Sequence, residues 1–133
     1  MSLVKKCSKL IKINYPEDVK IDGAAIGKMP IVIQKYMNVQ FDLMYVISEK
    51  DMEKNEIYGE RFKYYKEDYN FKLTSAEIKN YIHKDKEFLK VLRELEVYEV
   101  LFKQIVEIIT ELRNIQWMVK TSLEYKKFEM GIN

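Results

Sequence analysis

The chain has 133 residues, a net charge of +2, one cysteine and one histidine. This length accommodates a single domain or a short series of packed helices, and not two independent cores. The nearly balanced charge does not by itself predict a nucleic-acid partner, so a basic site would have to come from local clustering. One histidine and one cysteine are too few for a Cys/His zinc site. The histidine, His83, lies between a predicted short helix and Asp85 and lacks the usual partners of a catalytic triad. We therefore expect a protein that is not an enzyme and that carries no metal and no cofactor.

The first 29 residues contain many of the residues that interrupt helices, including Pro16, Gly23 and Gly27. This composition predicts an irregular arm over residues 1–29. Its six lysines outnumber its three carboxylates, which is typical either of a solvated tail or of a basic arm that helps to hold a polyanion. No apolar run approaches the roughly 18 residues of a membrane-spanning helix, so we expect no membrane partner.

The first long helix is predicted to begin at Pro30. A proline fits the first turn of a helix because its missing N–H has no hydrogen-bond partner there. Apolar residues at helical spacing follow, and we predict a helix over about residues 31–66. Its part from Ser48 to Glu60 carries charges of both signs, which indicates an exposed face and a candidate surface for a protein partner.

Basic and aromatic residues alternate over residues 61–66, which read Arg-Phe-Lys-Tyr-Tyr-Lys. Cations that bind phosphates and rings that stack on bases are the chemistry of single-stranded nucleic-acid binding. The alternative is that these rings pack on a helical face and that the lysines merely flank it. The segment predicts a DNA-binding site made of Arg61, Lys63, Tyr64, Tyr65 and Lys66.

Two cap motifs predict where the later helices begin. Thr74 and Glu77 have the spacing of a capping box, which starts a short helix that ends at about His83. Asp85 is a suitable N-cap for a second long helix over about residues 85–129. The predicted fold is therefore all-α, a single helical domain over residues 1–133 in which a short capped helix joins two long ones.

The second long helix carries a coiled-coil seam, because its apolar residues recur at alternating spacings of three and four. A neighbouring stripe that includes Leu101 and Ile108 makes this apolar face wide enough to bury against two neighbours. Trp117 lies beside the seam, where it is either a packing residue or a platform for a base. We predict that residues 85–130 mediate oligomerisation through the seam, whose members are Leu95, Tyr98, Phe102, Ile105, Ile109, Leu112, Val119 and Leu123.

Three stretches together resemble the UvsY family of recombination mediators from T4-like phages. They are Arg61–Tyr65, Lys84–Val91, and Val119–Lys120 followed by Phe128–Gly131. The resemblance implies a non-enzymatic protein of the host cytoplasm that binds single-stranded DNA. It also implies that the protein helps to displace the single-stranded-DNA-binding protein, loads a RecA-like phage recombinase, and forms a homo-oligomeric ring of six or seven subunits.

The family's DNA-binding motif, Lys-Ala-Arg-Leu, is only partly present in this chain. Its arginine falls on Arg61, whereas its lysine falls on Gly59, which has no charge. Lys63 supplies a nearby cation at a position that is acidic in one member of the family. The residues alone leave one alternative open, a helical scaffolding subunit that uses the same seam and does not bind nucleic acid.

Overall fold

A computed structural model describes residues 2–12 and 23–131 of the protein. Over these ranges the regular secondary structure is helical, which confirms the predicted all-α class and its two long helices. A π-helical turn, Tyr64–Asp68, continues the first long helix. None of the described helices is both long and apolar enough to cross a membrane. The α-helices are α1 (Leu3–Lys12), α2 (Gly23–Lys63), α3 (Ser75–Ile82) and α4 (Lys86–Glu129).

Helix α2 begins at Gly23, earlier than the predicted start near residue 31, and Pro30 lies inside it. A proline within a helix removes one backbone hydrogen bond. Met29 is only 2% exposed, and it is buried together with Ile33 and Tyr36 at helical spacing. Burial of Met29 on this face requires helical backbone on both sides of Pro30, so tertiary packing offsets the local cost of the proline.

The described part of the predicted irregular arm over residues 1–29 is helical from Leu3 to Lys12, in α1, and from Gly23 onward, in the first turns of α2. Helix α1 buries Cys7 and Leu10. The buried Tyr36 hydroxyl donates a hydrogen bond to the Leu10 carbonyl oxygen at 3.1 Å. Residues 13–22, which contain Pro16, lie outside the described residues. Helix α1 is therefore a packed element and not a solvated tail.

The described residues form two compact units. The first unit contains α1, the part of α2 up to Leu43, and the part of α4 from Leu101 onward. The second unit is Met44–Val100. The predicted single domain stays a prediction. The first unit buries Val39, Leu43, Ile105 and Leu112 completely, and the core of the second consists of Ile57, Ile78, Ile82, Phe88 and Val91.

Both predicted helix starts are confirmed by their hydrogen bonds. Glu77 N donates to Thr74 Oγ1 at 3.2 Å, and Thr74 N donates to Glu77 Oε1 at 3.3 Å, which completes a capping box. Phe88 N donates to Asp85 Oδ1 at 3.0 Å, as expected for an N-cap. Because these contacts are local, they determine where α3 and α4 begin.

Candidate nucleic-acid interface

The predicted DNA-binding residues lie where α2 ends and the π-helical turn begins. Arg61 and Lys63 belong to the last turn of α2, and Tyr64, Tyr65 and Lys66 belong to the π-helical turn. A π-helical turn contains more residues than an α-helical one, so it changes the direction of the side chains that follow. Lys63, Tyr64 and Lys66 are exposed, whereas Arg61 and Tyr65 are half-buried. The five residues therefore divide into an exposed group and a packed group.

Arg61 forms ion pairs with two carboxylates at the start of α4. Its Nε donates to Asp85 Oδ2 at 2.9 Å, and its Nη2 donates to Glu87 Oε2 at 2.6 Å. The hydrogen bond to Asp85 raises the pKa of the Arg61 guanidinium, which stays charged. A phosphate that binds Arg61 must therefore compete with carboxylates that already neutralise it.

Lys63 and Lys66 supply positive charge that no carboxylate in the described part of the chain compensates directly. Neither lysine forms an ion pair with a described residue. Lys66 Nζ lies 6.0 Å from the centre of the Phe62 ring, at the outer limit of a cation–π contact. Glu67 and Asp68 in the same turn are exposed and reduce the local positive potential. Each chain therefore offers few uncompensated cations at this site.

A cluster of aromatic rings, the tyrosine cluster, surrounds the π-helical turn. Tyr69 lies at its centre and contacts the other four rings. Tyr65 stacks on Tyr81 with 5.4 Å between ring centroids and 22° between ring planes. Tyr64 and Phe71 at its edge are 46% and 70% exposed. Rings that are held in place by neighbours and still expose a face are suitable platforms for nucleic-acid bases. The cluster comprises Tyr64, Tyr65, Tyr69, Phe71 and Tyr81.

The sequence prediction missed three members of this cluster, Tyr69, Phe71 and Tyr81. The available signal was the density of aromatic residues after residue 57, which does not show which rings meet. Their convergence depends on α3, whose Tyr81 packs against Tyr65 from 16 positions further along the chain. A contact of this kind depends on tertiary structure and has no local spacing pattern.

Most of the seam that was predicted to oligomerise lies buried within the single chain. Leu95, Ile105, Ile109, Leu112 and Val119 are at most 8% exposed, and Tyr98 and Phe102 are half-buried. A buried side chain has little surface left for a second copy. Leu123 is the exposed member of the seam, at 39%. The role of the seam in oligomerisation stays a prediction. Further exposed apolar residues lie between Leu123 and the C-terminus, namely Tyr125, Phe128 and Met130.

Comparison with known proteins identifies the family. A family model described as "Recombination, repair and ssDNA binding protein UvsY" matches residues 14–132. The curated proteins and the solved structures gave no significant match. The match covers nearly the whole chain, including residues 61–66 and the tyrosine cluster, and it confirms the resemblance seen in the sequence. The chain therefore belongs to the UvsY family of recombination, repair and single-stranded-DNA-binding proteins.

Proposed function

We propose that the protein is a recombination mediator that binds single-stranded DNA, helps to displace the single-stranded-DNA-binding protein and loads a RecA-like recombinase. The observation that carries this proposal is the position of Lys63 and Lys66 beside the tyrosine cluster, in a chain of a single-stranded-DNA-binding family. Lysines and exposed rings on one short segment can bind phosphates and bases together without reading sequence.

Within the proposed site, the residues have different tasks. Lys63 and Lys66 bind phosphates, and Tyr64 at the exposed edge of the cluster stacks on a base. Tyr65 holds the cluster together through Tyr81, and Arg61 binds a phosphate when that phosphate displaces Glu87. The small number of cations makes the affinity of one chain low and strongly dependent on salt.

Assembly into a homo-oligomer would compensate for this low affinity. A hexameric or heptameric ring repeats the site, so one strand can contact several copies and bind with avidity. Since most of the seam is buried, we place the contacts between copies at the exposed apolar side chains near the end of α4, namely Leu123, Tyr125, Phe128 and Met130. Such a ring could release the strand stepwise to a recombinase, because each individual contact is weak.

The recombinase-binding surface is proposed to lie on the outward face of α2. There Tyr45 and Met52 are 67% and 61% exposed, and they line an open groove of about 390 Å³ with Glu49, Glu53 and Glu56. Exposed apolar side chains surrounded by acidic ones are suited to a partner surface that is apolar at its centre and basic at its edge.

Fluorescence anisotropy of a labelled oligothymidine tests DNA binding directly. We expect binding at low salt and a steep decrease in affinity as the salt concentration rises. Absence of binding at low salt would favour the alternative function, a helical scaffolding subunit. Measurement of the oligomeric state cannot separate the two functions, since both predict self-association.

The loading step requires a second assay. A RecA-like recombinase hydrolyses ATP when it assembles on single-stranded DNA, and a coat of single-stranded-DNA-binding protein delays this assembly. We expect the protein to shorten the delay on coated DNA and to have a much smaller effect on uncoated DNA. An unchanged delay, together with normal DNA binding, would reject the mediator role and retain the DNA-binding role.

A further inference from the structure

The C-terminal part of α4 carries a second basic and aromatic surface, far along the sequence from the tyrosine cluster. Its centre is Trp117, which is 67% exposed. Arg113, Lys120 and Lys127 line an open groove of about 520 Å³ with this ring. We call these four residues the α4 stripe. A large apolar ring between three cations is an unusual feature of a surface that contacts only water.

Helical spacing explains how these residues come together. Positions 113, 117, 120 and 127 are separated by four, three and seven residues, which places them on one face of a helix. Leu112 and Val119, which are buried in the core of the first unit, lie on a different face of α4. The core therefore leaves the α4 stripe open. From Arg113 to Lys127 the stripe extends about 21 Å along the helix, long enough to follow several phosphates of an extended strand.

No ion pair with another described residue neutralises the cations of the α4 stripe. Every ion pair between described residues lies within Met44–Val100, and none involves the stripe. Arg113 Nη2 donates instead to the sulfur of Met37 at 3.6 Å, which orients the guanidinium and leaves its charge uncompensated. Among the described residues that line the groove, Glu124 is the one carboxylate. The groove therefore combines three cations with one anion, whereas Arg61 alone faces two carboxylates.

We propose that the α4 stripe is a second surface that binds single-stranded nucleic acid. Trp117 stacks on an unpaired base, and Arg113, Lys120 and Lys127 bind the neighbouring phosphates. A polyanion is the occupant that complements the positive charge of the groove. The exposed indole ring favours a single strand, because only unpaired bases are free to stack on it. This inference rests on the proposed function and extends it. Each chain would contact DNA through the α4 stripe in its first compact unit and through residues 61–66 in its second compact unit.

Trp117 is the only tryptophan in the chain, so intrinsic tryptophan fluorescence reports on this site alone. Oligothymidine is titrated into the full-length protein at low salt, and the tryptophan emission is followed in parallel with the anisotropy of a labelled oligonucleotide. We expect quenching over the same concentrations as the rise in anisotropy. A rise in anisotropy without any change in tryptophan emission would overturn this inference and leave the proposed function intact. No change in either signal would overturn both.

Substitutions separate direct contact from an indirect effect on fluorescence. Trp117→Ala should weaken binding by about fivefold or more, and Trp117→Phe should retain most of it, since stacking needs a ring. Lys120→Ala and Lys127→Ala should each reduce the salt slope by about 0.7. Lys103→Ala, an exposed lysine of α4 outside the stripe, is the matched control and should change neither quantity. Unchanged affinity in Trp117→Ala would overturn the inference.

Leu123, which we assign to contacts between copies, also lines this groove. Light scattering on the same variants therefore tests the competing occupant, a second copy of the chain. We expect the mass of the assembly to be the same in Trp117→Ala and in the wild type. A lower mass would identify the α4 stripe as a contact between copies and would overturn its assignment as a nucleic-acid surface. Circular dichroism serves as the folding control, and it should be unchanged because these side chains are exposed.

Discussion

Arg61 donates a hydrogen bond from Nε to Asp85 Oδ2 at 2.9 Å and thereby connects the last turn of α2 to the residue that caps α4. The other oxygen of the same carboxylate, Oδ1, accepts the hydrogen bond from Phe88 N. The hydrogen bond from Phe88 and the contact with Arg61 lower the pKa of Asp85. Asp85 therefore stabilises two elements at once, and Arg61 is a structural residue as well as a candidate DNA contact.

Two substitutions of Asp85 should distinguish the contribution of the helix cap from that of the ion pair with Arg61. Asp85→Ala removes both the cap and the ion pair, and we expect the free energy of unfolding to fall by about 1–2 kcal/mol. Asp85→Asn should cost less, because an asparagine oxygen can still accept the hydrogen bond from Phe88 N. Urea denaturation measures both values. Equal losses in the two variants would show that the cap contributes little.

The pH dependence of stability gives an independent check on Asp85. Its pKa is lower in the folded chain than in the unfolded chain, so the charged carboxylate stabilises the fold at pH values above its ordinary pKa near 4. This stabilisation is lost as the pH falls through the lowered pKa of the folded state. The acid-induced loss of stability should be smaller in Asp85→Asn than in the wild type. Identical acid dependence would contradict the role given to the carboxylate.

Glu87 should compete with DNA for Arg61. Its Oε2 lies 2.6 Å from Arg61 Nη2 on a side chain that is 60% exposed. Glu87→Gln removes the competing charge, so we expect tighter binding of oligothymidine at low salt and a steeper salt slope. Anisotropy titrations at several salt concentrations measure both quantities. Glu96→Gln, an exposed carboxylate of the same helix, is the control, and equal effects of the two changes would point to net charge alone.

In the sequence prediction the lysine of the family's motif falls on Gly59, and the structure has room for a longer side chain there. Gly59 is exposed within α2, and a Cβ atom added to it would meet nothing within 4 Å. Gly59→Ala should therefore stabilise the helix by about 0.5–1 kcal/mol. Gly59→Lys should stabilise it similarly and also strengthen DNA binding, because it adds a cation near Lys63. If both variants bind DNA equally well, the added charge does not reach the strand.

The two adjacent tyrosines of the π-helical turn should respond differently to substitution. Tyr65 packs between Tyr69 and Tyr81, so Tyr65→Ala should lower the free energy of unfolding by more than about 1 kcal/mol. Tyr64 is 46% exposed, and Tyr64→Ala should change stability little but weaken binding of oligothymidine by about fivefold. Chemical denaturation and anisotropy on both variants test this division, and a reversed pattern would refute it.

The buried and the exposed members of the predicted seam can be distinguished in the same way. Ile105 is fully buried, so Ile105→Asp would place a carboxylate in the core of the first unit at a cost of several kcal/mol and unfold that unit. Leu123→Asp alters an exposed residue and should leave the helical content unchanged while it lowers the mass of the oligomer. Circular dichroism and light scattering measure the two effects. An intact assembly in Leu123→Asp would place the contacts between copies elsewhere.

Local patterns predicted much of this fold, because helix caps and apolar periodicity involve residues close together in sequence. The capping box at Thr74 and the cap at Asp85 are of this kind, and both are present. The start of α2 was misplaced for the opposite reason. Pro30 satisfies the local rule for a first turn, whereas the burial of Met29 depends on tertiary packing.

The candidate site was less predictable, because its character depends on contacts between distant residues. The sequence shows a cation at Arg61 but not that Asp85 and Glu87, 24 and 26 positions away, neutralise it. A heptad pattern likewise indicates an apolar face without specifying what covers it. In α4 the chain itself covers most of that face, which a periodic pattern cannot distinguish from contact with another copy.

The buried Cys7 makes the opening of α1 observable. It is the only thiol in the chain and has no exposed surface, and burial raises the pKa of its thiol. A thiol-specific reagent can therefore react only after α1 has separated from the helices that cover it. The labelling rate of Cys7 therefore measures the local unfolding equilibrium of α1. This helix precedes residues 14–132, the part of the chain that matches the family model.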